Sequence, residues 1–331
     1  MVKAVCNELP KGRESMNAIE KRIEELYRYN PDLQPPSDLE QFWNNTLETA
    51  EQRKPVGQRV KTETPFAAVD AYHVTYEGYD HTPIKGWYIV PKFVQAQGLP
   101  CVVVFHGYTG GKSYPEHYAD WLLMGMAVLA VDVRGQGGET GNRMDSDYGM
   151  IKGWVTQGIL DKEKSYYKAI AVDAVKAIEW AAIQPEVDAS RIAVCGDSQG
   201  GGISLLAAAL SMTPAVAVAN IPNMCHMDFG ILNSTGSLTE AAEFVHRFPQ
   251  HLDKVLNTLS YFDMVHLARR IEIPVMVSAG LKDTVCLPET VFAAYNRIPS
   301  EKILNIYPFT GHSVGDHQKR QAYEFVKRHL I

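Results

Sequence analysis

No apolar run in the sequence approaches the length of a membrane span, and Met1 to Pro10 contain no apolar signal core. Cysteine is scarce: five residues, at 6, 101, 195, 225 and 286, form no C-x-x-C pair. An odd, scattered set reads as reduced thiols rather than a disulfide framework. There is no long basic run, and 32 Lys+Arg against 38 Asp+Glu leave a formal net charge of −6. That balance argues against nucleic acid or an anionic membrane as the main partner. No His, Cys, Asp or Glu grouping has the spacing of a metal site, and no repeats or low-complexity segments occur. These absences lead us to expect a cytoplasmic globular protein without a metal cofactor.

What remains is ordinary globular composition, 46% hydrophobic and 21% charged, in a chain of 331 residues that can bury a large core. Residues 1–37 form a weakly patterned extension, with a short helix expected around Ile19 to Tyr29. Ser37-Asp38-Leu39-Glu40 offers a capped start to a helix carrying Phe42, Trp43 and Leu47 on one face. Val69 to Glu77 and Ile84 to Val90 alternate like two antiparallel strands.

From Pro100 the pattern changes to continuous apolar runs, as in strands covered on both faces. These are Cys101–Phe105, Ala127–Val131, Ile192–Cys195, Ala215–Ile221, Pro274–Ala279 and Ile303–Tyr307. Helices are expected at about Pro115–Met124, Ser165–Ala182 and Asp316–Leu330. Buried strands alternating with helices imply a mostly parallel sheet. Residues 222–270 interrupt the rhythm with helical pieces at Thr239–His246, His251–Leu259 and Met264–Arg269. Such an insertion after a strand's carboxyl end is expected to cover the ligand crevice, within one domain of residues 1–331.

The chemistry centres on Gly196-Asp197-Ser198-Gln199-Gly200, a G-x-S-x-G pattern between a strand and the small-residue helix Ile203–Leu210. On so sharp a turn a serine is strained, and its hydroxyl projects above the sheet edge over a helix N-terminus. A serine needs a base, and the base needs an orienting carboxylate. On an α/β-hydrolase sheet these follow in the order Ser, acid, His. Asp283, in the loop after Val275–Ala279, fits the acid, with Asp228 as the competing choice. His312, after the last strand, fits the base better than His317, which falls on the exposed side of the final helix. Two amides should form an oxyanion hole: that of Gln199, after the nucleophile, and that of Tyr108 in His106-Gly107-Tyr108. Arg134 and Gln136, in Arg134-Gly-Gln-Gly137, read as structural support for these loops, through an Arg134–carboxylate pair, in preference to the rival reading of direct substrate contact.

The joint pattern resembles the acetyl xylan esterase/cephalosporin-C deacetylase group, carbohydrate esterase family 7. It is carried by Arg134-Gly-Gln-Gly137, Gly196 to Gly201, Asp283 ahead of Thr290–Asn296, the Phe42-Trp43 helix and Thr258–Asp263. The resemblance implies an α/β-hydrolase fold with a helical insertion. It also implies a metal-independent deacetylase with the triad Ser198, Asp283 and His312, acting on small acetylated carbohydrates or cephalosporin C, and a ring-like homohexamer. One departure is Ser313, where the family usually has Glu after the histidine. The alternatives are a broader short-chain carboxylesterase or peptidase of the same fold, and a catalytically silent binding protein. A dehalogenase or a dienelactone-type hydrolase is disfavoured, because its nucleophile would be Asp or Cys.

Overall fold

The computed structural model describes residues 16–53, 56–94, 98–149 and 152–331. Cys6 and most of the expected N-terminal extension lie outside them. The strands are β1 (Gly57–Thr62), β2 (Val69–Glu77), β3 (Pro83–Pro91), β4 (Leu99–Phe105), β5 (Ala127–Val131), β6 (Val187–Asp197), β7 (Val216–Asn220), β8 (Val275–Gly280) and β9 (Lys302–Tyr307). The helices are α1 (Ala18–Arg28), α2 (Leu39–Glu51), α3 (Ala119–Leu123), α4 (Tyr166–Ala182), α5 (Gln199–Leu210) and α6 (Met227–Asn233). They continue with α7 (Thr239–Arg247), α8 (Leu252–Ser260), α9 (Met264–Leu267), α10 (Pro288–Tyr295) and α11 (Asp316–Leu330).

The nine strands among the described residues join one sheet in the order β1-β2-β3-β5-β4-β6-β7-β8-β9. The three pairings at the β1 end are antiparallel, and the five from β5 to β9 are parallel. This is the α/β-hydrolase fold that the alternating pattern predicts. The unbroken apolar runs have a physical cause. Successive residues of β4 to β8 face opposite sides, and a helical layer covers each side. Val103, Leu129, Val194 and Ala217 pack towards α4 and α5, whereas Val102, Val128, Ala193 and Val218 pack towards α3 and α11.

Three features differ from expectation. Strand β1 was not anticipated, because its exposed, polar sequence Gly-Gln-Arg-Val-Lys-Thr carries no core face; pairing with β2 makes it a strand. Helix α6 was also missed, being one short element within 222–270. The expected capping box at Ser37–Glu40 does not form. Asp38 is the N-cap residue, but its carboxylate accepts instead from Lys162 Nζ and Tyr261 Oη. A charged partner wins over a backbone amide there.

The strand order locates the site. From β4 the chain steps to β5 on one side, and β6 then returns to the other side of β4. The loops leaving β4 and β6 therefore diverge at the carboxyl edge of the sheet and leave a crevice between them. His106–Gly111 and the Ser198 turn are those two loops.

Candidate active site

Ser198 is the one residue between β6 and α5, with φ 56° and ψ −117°, a backbone conformation that costs an ordinary residue about 1–3 kcal/mol. The neighbouring backbone holds it there. Its N–H donates to Asn220 O at 2.9 Å, and its carbonyl accepts from Gly202 and Asn223 N–H, each at 3.0 Å. The flanking glycines let strand and helix approach. A Cβ on Gly196 would lie 2.4 Å from the Gly200 carbonyl carbon, and one on Gly200 would lie 2.0 Å from Phe105 O. We therefore expect Gly200→Ala to destabilise the fold by about 3 kcal/mol, the upper end for an overpacked site. Urea unfolding measures it, and a loss under about 1 kcal/mol would show that β4 can yield there.

Asp283 lies just past β8 and His312 just past β9, and the sheet brings both to Ser198. His312 Nε2 is 2.9 Å from Ser198 Oγ, and its Nδ1 is 2.8 Å from Asp283 Oδ2. Asp283 is buried, and its other oxygen accepts from the Val285 and Cys286 amides at 2.8 and 2.9 Å. Those bonds aim the carboxylate at the ring and hold the histidine's proton on Nδ1, leaving the Nε2 lone pair for the serine hydroxyl. The competing residues are engaged elsewhere: Asp228 Oδ1 is 3.2 Å from His226 Nε2, and His317 Nδ1 is 3.1 Å from Tyr307 Oη.

Gln199 is the first residue of α5, so its amide has no acceptor within the helix and points out at the positive end of the helix dipole. Tyr108 lies across the crevice in the loop after β4. Gln136 joins the two sides. Its Oε1 accepts from Thr109 N–H at 2.9 Å, while its Nε2 donates to Gln199 Oε1 at 2.8 Å and Tyr166 Oη at 2.9 Å. His106 ties the same loop to the one after β5. Its Nε2 accepts from Val133 N–H at 2.9 Å and its Nδ1–H donates to Gly107 O at 2.8 Å, so the ring is neutral. Burial lowers its pKa in the same sense.

Arg134 is fully buried and spent on the protein. Its Nε and Nη2 grip both oxygens of Asp173 at 2.6 and 2.8 Å, Nη2 also donates to Tyr79 O, and Nη1 reaches Asp80. It braces the loop carrying Gln136 against α4 and the β2–β3 turn. Among the described residues, no cluster of three or more His, Cys, Asp or Glu could hold a metal ion.

A base in contact with a hydroxyl and steered by a buried carboxylate can move a proton off Ser198 as it attacks an acyl carbon. What kind of acyl group is indicated by a family model described as acetyl xylan esterase (AXE1), which matches residues 16–329. The chain belongs to the acetyl xylan esterase family. Acetyl esterase Axe7A of Xylanibacter ruminicola is 28% identical over 290 residues, 85% of this chain; the chain spans only 64% of that relative's length. Two solved structures superpose closely. The acetyl xylan esterase from Paenibacillus sp. R4 is 38% identical with a TM-score of 0.90, covering 93% of this chain and 99% of its own. Acetyl xylan esterase 1 from Thermoanaerobacterium sp. JW/SL YS485 is 28% identical with a TM-score of 0.89, over the same shares.

Two residues near the site were not found from sequence. Cys286 sits beside Ser198; burial raises its thiol pKa, against a smaller lowering by the Ser198 hydroxyl, so it stays protonated and does not compete as a nucleophile. Glu240, in the first turn of α7, reaches Tyr108. Neither stands at a spacing that marks it, because each arrives through a loop whose path the sequence leaves open.

Proposed function

We propose that this chain is a serine esterase that removes acetyl groups from small acetylated carbohydrates, such as xylo-oligosaccharides and acetyl sugars, and from cephalosporin C. The observation that carries this reading is the Ser198–His312–Asp283 chain of hydrogen bonds, in a member of the acetyl xylan esterase family. In this mechanism Ser198 Oγ attacks the acetyl carbonyl carbon as His312 Nε2 takes the hydroxyl proton. The carbonyl oxygen, now an anion, accepts from the Tyr108 and Gln199 amides. Collapse expels the sugar alcohol, which takes the proton from His312. Water, deprotonated by the same nitrogen, then cleaves the acetyl-enzyme to acetate and free serine. Asp283 holds the ring and stabilises its charge. Gln136 keeps the two donor-bearing loops in register, and Arg134 supports them from below.

Residues 1–331 act in this proposal as one domain, with 222–270 over the crevice. It works in the cytoplasm, to which the unpaired, buried Cys101, Cys195, Cys225 and Cys286 are suited, and assembles as a homohexamer. Among the described residues no helix is long and apolar enough to cross a membrane. Ser313 stands where the family usually has Glu after the histidine; that carboxylate is not a member of the proposed triad, so the chemistry survives its loss.

The test is an ester panel. With matched leaving groups, kcat/KM should fall by about 30-fold or more from acetyl to butyryl, since each of the two added methylenes that does not fit costs about 1–3 kcal/mol. Acetylated xylose and cephalosporin C should both be deacetylated. Equal or better turnover of butyryl esters, or cleavage of amides, points instead to a broader carboxylesterase or a peptidase.

A further inference from the structure

Glu240 is almost fully buried, 3% exposed, yet carries a carboxylate. Burial, the largest influence on it, raises its pKa, against the lowering by its hydrogen bond from Tyr108. A group kept there against that cost has partners worth having. Both its oxygens lie within reach of the Tyr108 hydroxyl, at 2.8 and 2.9 Å, and Oε2 also accepts from Val155 N–H at 3.1 Å. The same Tyr108 hydroxyl accepts from Trp154 N–H at 2.8 Å. Three separate stretches of chain thus meet at one phenol: the loop after β4, residues 154–155, and α7.

Tyr108 is the residue whose amide faces the oxyanion in the proposed mechanism. Thr109 N–H is already held by Gln136, and Gly107 O accepts from both the Gly110 amide and the His106 ring. The backbone on either side of Tyr108 is therefore anchored towards the sheet. The peptide plane that holds Gly107 O also holds the Tyr108 N–H, so those bonds set the direction of that amide; what remains is how closely it sits to the oxyanion, and the ring is the lever. A phenol has only two side-chain torsions, so pinning its oxygen narrows the positions open to the Cα and with it the reach of the amide.

We propose that Glu240 is a positioning residue for acyl transfer: through the Tyr108 hydroxyl it holds the Tyr108 amide within reach of the oxyanion, so that residues 222–270 complete the catalytic geometry as well as covering the crevice. This rests on the esterase reading above. An oxyanion donor acts on the transition state more than on the bound ester, so loosening it lowers kcat and leaves KM alone. A residue that merely holds the fold together would lower stability and leave that split unmarked.

The experiment compares the wild-type chain with Glu240→Gln, Tyr108→Phe and the double variant, using p-nitrophenyl acetate for kcat and KM. Phenylboronic acid is the probe of the oxyanion site, because it adds to a serine hydroxyl as a tetrahedral anion. Each single variant should lose about 10- to 100-fold in kcat and a similar factor in boronate affinity, with KM within about twofold. The double variant should lose no more than the worse single one, since both cut the same link. Tyr108→Phe removes one hydroxyl only and decides the question if Glu240→Gln does not fold. Unchanged boronate affinity, or a loss that appears only in KM or in melting temperature, overturns the inference. Its failure is separable from that of the esterase reading: the latter falls if the wild type does not hydrolyse the ester or Ser198→Ala matches it.

Discussion

Replacing Ser198 by alanine should lower kcat for acetyl-ester hydrolysis by about 10⁵- to 10⁶-fold. The reason is that the proposed attacking atom is removed while the rest of the site stays. KM should move little, and a residual rate above the uncatalysed one should persist, because the Tyr108 and Gln199 amides proposed as oxyanion donors stay in place for an attacking water. Burst kinetics with p-nitrophenyl acetate and stoichiometric labelling by an organophosphonate make the measurement quantitative: wild type shows both and the variant neither. Near-wild-type turnover in Ser198→Ala would remove Ser198 from the mechanism.

The same position supplies a stability reading. Alanine keeps the strain of φ 56°, since its Cβ meets the same backbone. Glycine tolerates that conformation, so Ser198→Gly should be more stable than Ser198→Ala. The gain should be about 1 kcal/mol, after the greater chain entropy of glycine is subtracted. If the two variants melt alike, the turn stores no strain.

The second large effect concerns stability and lies away from the serine. Asp173→Ala should destabilise the protein by about 3–5 kcal/mol in urea unfolding. It strips both carboxylate oxygens from the fully buried Arg134, leaving only Asp80, which is partly exposed, and the Tyr79 carbonyl. The substitution also orphans Tyr79 N–H, which donates to Asp173 Oδ1 at 2.8 Å. The cost belongs to the uncompensated charge rather than to the pair as such. Removing both charges, as Arg134→Met with Asp173→Leu, should therefore destabilise less than Asp173→Ala alone. Because Arg134 carries the loop that bears Gln136, Asp173→Ala should also lower kcat by about tenfold at temperatures where it remains folded. A stability loss below about 1 kcal/mol would mean that Asp80 and solvent can replace Asp173.

How much of this could be read from the sequence depends on how local the cause is. Strand β5 and helix α11 begin and end where their patterns say, because each is a period of apolar residues with clear punctuation. The Ser198 turn is equally legible: two small residues flanking a serine, an apolar strand before and a helix after, are all within a dozen positions. Strand β1 is the opposite case. Its residues have no apolar face, and only the free edge of β2 makes them extended. Asp38 shows the same limit, since a good helix cap was drawn off by Lys162 and Tyr261, more than a hundred residues away.

The sequence by itself determined the α/β-hydrolase class, the strained serine and the order in which an acid and a histidine must follow it. It left Asp283 against Asp228 and His312 against His317 as choices. Only the tertiary structure brought one pair to Ser198, because the parallel sheet places the ends of β6, β8 and β9 along one edge, while Asp228 and His317 turn to His226 and Tyr307. It alone revealed that Arg134 is buried in an ion pair, that Gln136 bridges Thr109 and Gln199, and that Glu240 holds Tyr108. The physical reason is common to all three. Periodicity and turn chemistry are written in neighbouring residues, whereas a hydrogen bond between distant side chains exists only once packing has brought them within reach.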